Sequence, residues 1–217
     1  MTGHILRFLD SPDQMTQDSF VRLFGSATFK EKLQGLARKD RQDAAVTEYA
    51  ENVARVGNYR FYSKAVVLHP LFDRTHFHLI YLTRNAKGIE VFKEAEKKAM
   101  TEMQHARAQA HQRVKQDKTG QPDLFEPEVL HSGNYLDDLR ERYCGRAREQ
   151  ALQILRASKK MLYDDLWAMT LRESLVWESD LKDWIAEWEK QKLLSVEGKK
   201  ARQKVPHRNE DNILVLT

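Results

Sequence analysis

Residues 58–100 read NYRFYSKAVVLHPLFDRTHFHLIYLTRNAKGIEVFKEAEKKAM, and two strand-like runs stand back to back there before feeding a helix. Tyr59, Phe61, Ser63, Ala65 and Val67 alternate with Arg60, Tyr62 and Lys64 at the period of two that a pleated strand requires, and the run closes in Ala65-Val66-Val67-Leu68. His69-Pro70-Leu71-Phe72-Asp73-Arg74 interrupts it with a proline that cannot donate to a ladder, so Thr75 to Thr83 is expected to return antiparallel. After Arg84-Asn85-Ala86-Lys87-Gly88 the period lengthens. Phe92, Ala95, Ala99, Met103 and Ala106 then fall on one stripe of a helix that runs to about Lys118.

Upstream of this hairpin the pattern is helical. Apolar residues from Met15 to Phe24 predict a helix beginning near Asp13 and ending at Gly25. Thr28 is placed to cap a second helix through Leu36, and Asp40 to precede a third that Gly57-Asn58 ends. Residues 1–10 read as a short strand or a connector. Downstream, Gly120 and Pro122 mark a linker over 118–133, dividing the chain into a partial α/β domain at 1–117 and a second domain at 134–217.

The second domain opens with a helical stripe at Leu136, Leu139 and Tyr143 that resumes after Gly145. A helix is expected over Tyr163 to Thr170 and another over Ser179 to Gln191, where Leu181, Trp184, Ile185 and Trp188 lie at i, i+3, i+4 and i+7. Leu193 to Val196 and Ile213 to Leu216 read as short strands around a polar, basic insert. This order of helices and then a hairpin resembles winged helix-turn-helix domains, with the insert as the wing. The expected class is α+β and helix-rich, with an antiparallel hairpin, a long helix and a winged helix-turn-helix.

Composition narrows the environment. Of 217 residues, 41% are hydrophobic and 31% charged, with a mean hydropathy of -0.68, and no apolar run approaches the roughly 18 residues that a spanning helix needs. The start, Met1-Thr2-Gly3-His4, lacks the order of a signal peptide, so no membrane and a cytoplasmic address are expected. The single cysteine, Cys144, rules out an internal disulfide and any zinc site built on paired thiolates.

The strand His78-Leu79-Ile80-Tyr81-Leu82-Thr83, the loop with Lys87-Gly88 and the helix after it resemble the last part of the methyltransferase-like domain in the three-Cys-motif partner family of bacterial proteins. Leu23-Phe24-Gly25-Ser26 is similar to an aromatic-glycine step before a helix in that family, and the winged-helix-like carboxyl end is a further likeness. The glycine-rich loop that binds a dinucleotide or S-adenosylmethionine in such folds is not in this sequence, so no cofactor and no catalytic residue is expected.

Charge supplies the functional candidate. Between positions 190 and 208, Lys190, Lys192, Lys199, Lys200, Arg202, Lys204 and Arg208 face the single acid Glu197, an electrostatic footprint for a phosphate backbone. The expectation is a non-catalytic module that contacts double-stranded DNA through this wing. The preceding helix carries Glu178, Asp180, Asp183, Glu187 and Glu189, which phosphates repel. Two alternatives stay open: the accessory half of a split methyltransferase-like enzyme with a separately encoded partner, or a winged-helix adaptor between proteins.

Other constellations favour plainer readings. His69, His76 and His78 could be imagined around a metal but lack a spaced acidic or thiolate partner. Arg142, Arg146 and Arg148 flank Cys144 without a paired base, which favours a partly buried small residue over a reactive thiol. Trp167, Trp177, Trp184 and Trp188 could stack bases, but their spacing favours a core, with Trp177 the most exposed. Asp164-Asp165 suits a helix start better than a metal pair, since neighbours on a helix diverge by roughly 100 degrees.

Overall fold

The structure, a computed structural model, describes residues 11–119 and 135–217. The expectations for residues 1–10, and for all but the first two residues of the 118–133 linker, fall outside them. The class is α+β, with two small antiparallel sheets among helices.

Helix α1 (Gln14–Phe24) starts where the Asp13 carboxylate accepts the Thr16 amide at 2.8 Å, and ends at Gly25 with φ 72°. Only glycine suits that position twice over, because a Cβ there would lie 2.0 Å from the Asn52 side chain. Asn52, on helix α3 (Arg38–Val56), donates to the carbonyls of Arg22 and Leu23 and ties the end of α1 to α3. Helix α2 (Phe29–Leu33) lies between them and stops three residues short of Leu36. Phe20, Phe24, Phe29, Leu33 and Ala45 make a small core of their own.

Strands β1 (Phe61–Leu68) and β2 (Thr75–Thr83) pair antiparallel from Phe61↔Thr83 to Val67↔Phe77, with an irregularity before Leu68. Tyr62 to Val66 are all buried, so β1 is covered on both faces rather than on one. Helix α4 (Ala86–Thr119) follows, about 51 Å long at 1.5 Å per residue. Its buried line is Ile89, Lys93, Glu96 and Met100. The expected stripe is thus rotated: Met103 flanks the core and Phe92 is half-buried against Tyr81, while Ala95, Ala99 and Ala106 face outward. Arg107 of α4 holds the hairpin loop through the His69 and Phe72 carbonyls and Asp73.

Helix α5 (Tyr135–Ser158) runs unbroken through Gly145, which faces open space. Strand β3 (Lys160–Leu162), which no sequence pattern announced, leads into α6 (Tyr163–Thr170) and α7 (Glu178–Lys190). Strands β4 (Leu194–Glu197) and β5 (Ile213–Leu216) complete an antiparallel sheet of order β3-β5-β4. One apolar cluster takes Val66, Leu68, Ile89 and Met100 from before residue 120 and Leu139, Leu155, Trp167, Trp188 and Leu214 from after it. Among the described residues no helix is long and apolar enough to cross a membrane.

Candidate functional site

Two charged regions stand out, one buried and one at the carboxyl-terminal sheet. The buried one forms because β1 is enclosed. With helices on both faces, the alternation that would send Lys64 to water sends it instead into the protein, where its ammonium pairs with Glu173 and donates to Thr47 at 2.6 Å. Glu173, in the turn after α6, also receives Arg146 of α5. Arg146 reaches Asp43 of α3 at 3.1 Å, and Asp43 accepts Arg142 at 2.6 Å and the Tyr143 hydroxyl at 2.8 Å. His78 Nε2 of β2 stands 3.7 Å from the same carboxylate. Lys93 and Glu96 of α4 add a second pair at 2.8 Å, which the Glu173 carbonyl and the Leu175 amide extend.

Of these groups, Asp43, Lys64, Arg146 and Glu173 border a cavity of about 600 Å³ that opens between α3 and α5, with Tyr62 and Arg172 on its wall. Its charges are matched in place. Burial opposes the Asp43 anion, but His78, Arg146, Arg142 and Tyr143 outweigh it and bring the pKa down to about 2. Glu173 is held below the ordinary glutamate value by Lys64 and Arg146 in spite of its burial. Burial, with Asp43 beside it, pushes the Tyr143 hydroxyl far up, and burial does the same at Tyr62. Burial also drives Lys93 down and Glu96 up, each towards neutrality. What the arrangement does is bind α3, β1, β2, α5 and the turn at Glu173 to one another.

The basic region is less uniform than its sequence. Lys199 pairs with Glu189 and Lys200 with Glu210, both at 2.7 Å. Arg208 turns inward, its side chain 12% exposed, stacked 3.8 Å over the Trp167 ring and paired with Glu90 and Asp164. Lys190, Lys192, Arg202 and Lys204 are exposed, and among the described residues no carboxylate pairs with them. The segment that carries Arg202 and Lys204 is organised by buried Asn212, whose amide donates to the Gly198 carbonyl and whose oxygen accepts Gln203 and the His207 amide.

The remaining candidates take structural roles. Trp167, Trp184 and Trp188 are core residues, and Trp177 is half-buried beneath Arg140 and Lys97. Burial, then Asp180, raises the Cys144 thiol to about 11, despite a contact with Arg140. Asp164 and Asp165 lie in the first turn of α6, where Asp164 receives Arg208. His69 and His76 meet edge to face at 5.3 Å, while His78 is turned to Asp43. Among the described residues no three metal-binding side chains stand together.

Sequence reading missed the buried network. Its signal was present in charged residues at core spacing: Lys93 and Glu96 lie between Ile89 and Met100, and Lys64 sits inside an apolar strand. No family model, curated protein or solved structure matches the chain.

Proposed function

We propose that the chain is a non-catalytic, three-Cys-motif-partner-like protein whose carboxyl-terminal part is a winged helix-turn-helix that holds double-stranded DNA by its phosphates. The observation that carries the reading is the set of exposed cations without carboxylate partners, Lys190, Lys192, Arg202 and Lys204. They border β4 at both ends, with roughly 13 Å of strand between the two groups at about 3.3 Å per residue. The order α5, β3, α6, α7, β4, β5 supports the winged-helix assignment, in which residues 198–212 form the wing. Asp183 and Glu187 on the exposed side of α7 oppose insertion of that helix into a groove. Phosphate contacts therefore dominate, and they position a protein without reading sequence.

Titrating duplex DNA at several salt concentrations tests this. Four phosphate contacts predict a slope of log affinity against log salt of about -4, from about -0.9 per phosphate. Replacing Lys192, Arg202 and Lys204 by alanine should remove about 3 from that slope for every duplex alike, whereas Arg208→Ala should cost stability and leave the slope in place. Absence of binding by the wild type at low salt would rule the reading out.

A further inference from the structure

Among the described residues strand β2 is an open edge. It pairs with β1 on one side, and among the described residues no strand lies on the other. The far edge of β1 is engaged, by contrast, since the Lys64 amide donates to the Arg172 carbonyl at 3.1 Å and the Ser63 hydroxyl to the Leu171 carbonyl at 2.6 Å. Exposed edges are normally protected by charges, proline or shortness. The nine residues of β2, THFHLIYLT, contain no lysine, arginine, aspartate, glutamate or proline, and Phe77 and Leu79 are 38% and 48% exposed.

Among the described residues the layer above is incomplete in the same place. Phe92 of α4 stacks on Tyr81 of β2 with ring centroids 4.9 Å apart, which sets that flank of the helix over β2. Ala95, Ala99 and Ala106 continue the flank and are exposed although apolar. A strand added to β2 would lie beneath them and give the helix the second neighbour that its apolar stripe implies. The flanks of β2 say which strand fits. Arg74 and Arg84 close its two ends, stacked on Phe72 and Tyr59, and among the described residues neither meets a carboxylate. A second copy paired antiparallel about the middle residue of β2 would set Arg74 against Arg84 at both ends, and like charges opposed across strands are unfavourable.

We propose that β2 is a docking edge for an extended, apolar strand with acidic residues at both ends, supplied by a partner polypeptide. Backbone pairing provides the affinity, the face shared by Phe77 and Leu79 selects alternating apolar side chains, and the two arginines fix the flanks. This site does not depend on the nucleic-acid reading, because it uses none of the residues of the basic region.

The test uses the full chain and three labelled peptides of alternating valine and threonine, read by fluorescence anisotropy. One has two aspartates at each end, the second has lysines there, and the third keeps the aspartates but is N-methylated at alternate amides. The first should bind saturably and protect β2 amides from hydrogen exchange, and the lysine version should bind at least about tenfold more weakly. The methylated peptide should not bind, since it cannot complete the ladder. Leu79→Lys should abolish binding with the circular dichroism and melting temperature retained. No binding of the first peptide up to about 1 mM, or equal binding of the methylated one, overturns the proposal. So does a dimer in sedimentation that Leu79→Lys converts to monomer, which would make the occupant a second copy.

Discussion

Asp43 carries its charge with a side chain only 7% exposed, which is tolerable because Arg142, Arg146 and Tyr143 donate to it and His78 stands beside it. Its folded pKa of about 2 lies below the unfolded value of about 3.9. A depressed carboxylate contributes stability that is complete above the unfolded pKa and disappears as pH falls through the folded one. The shift corresponds to about 2 to 3 kcal/mol, lost between about pH 4 and pH 2. Urea unfolding across that window should show this loss in the wild type. Asp43→Asn should be less stable at pH 7 and should lack this share of the pH dependence. An identical acid profile in the variant would mean that Asp43 is not the group responsible. Nothing in the local sequence Arg41-Gln42-Asp43-Ala44 marks this residue, because its partners come from β2 and α5, up to about a hundred residues away.

The segment between β4 and β5 illustrates how an irregular element is held. It has little apolar content, and Arg202, Asn209 and Asp211 all have positive φ, which side chains other than glycine adopt at a cost. Asn212 repays this through three hydrogen bonds from a site 1% exposed, while its carbonyl accepts the Tyr163 amide. Asn212→Ala leaves the Gly198 carbonyl and the His207 amide without their partner, at a cost of about 1 to 3 kcal/mol. Limited trypsin digestion should then cut first at Arg202 or Lys204, and much faster than in the wild type. Equal digestion of the two proteins would show that the pairing at Asn212 does not order the segment. The basic character of this stretch was legible in the sequence. The pairing of Lys199 and Lys200 was not, because Glu189 and Glu210 are brought to them by the reversal of the chain at β4 and β5.

The hairpin and the carboxyl-terminal helices share an apolar cluster and are joined by the ion network, so the two sides of residue 120 have one interior. The consequence is cooperative unfolding. All four tryptophans lie in residues 167–188, so fluorescence reports the carboxyl-terminal part, while hydrogen exchange at the Ser63 and Ala65 amides, which face β2, reports the hairpin. Both should give the same unfolding free energy. Amides of β1 opening several kcal/mol below the fluorescence transition would show that the hairpin melts on its own.

The periodicities in the sequence were sufficient to determine most elements. β2, α6 and β5 have the bounds their patterns predicted, and α1, α3, α4 and α7 differ by only a few residues, because local apolar spacing decides where an element exists; α3 starts at Arg38, ahead of Asp40, which lies in its first turn. β3 escaped because three residues carry no period, and it forms only by pairing with β5. Tertiary structure alone decided which faces were buried. Enclosing β1 on both sides turned Lys64 inward, and the turn at Glu173 to Leu175, packed on α4, buried Lys93 and Glu96 in place of Ala95 and Ala99. The physical reason is that a pattern records how apolar one face is relative to another, whereas burial of a charge depends on the countercharge another element brings to it.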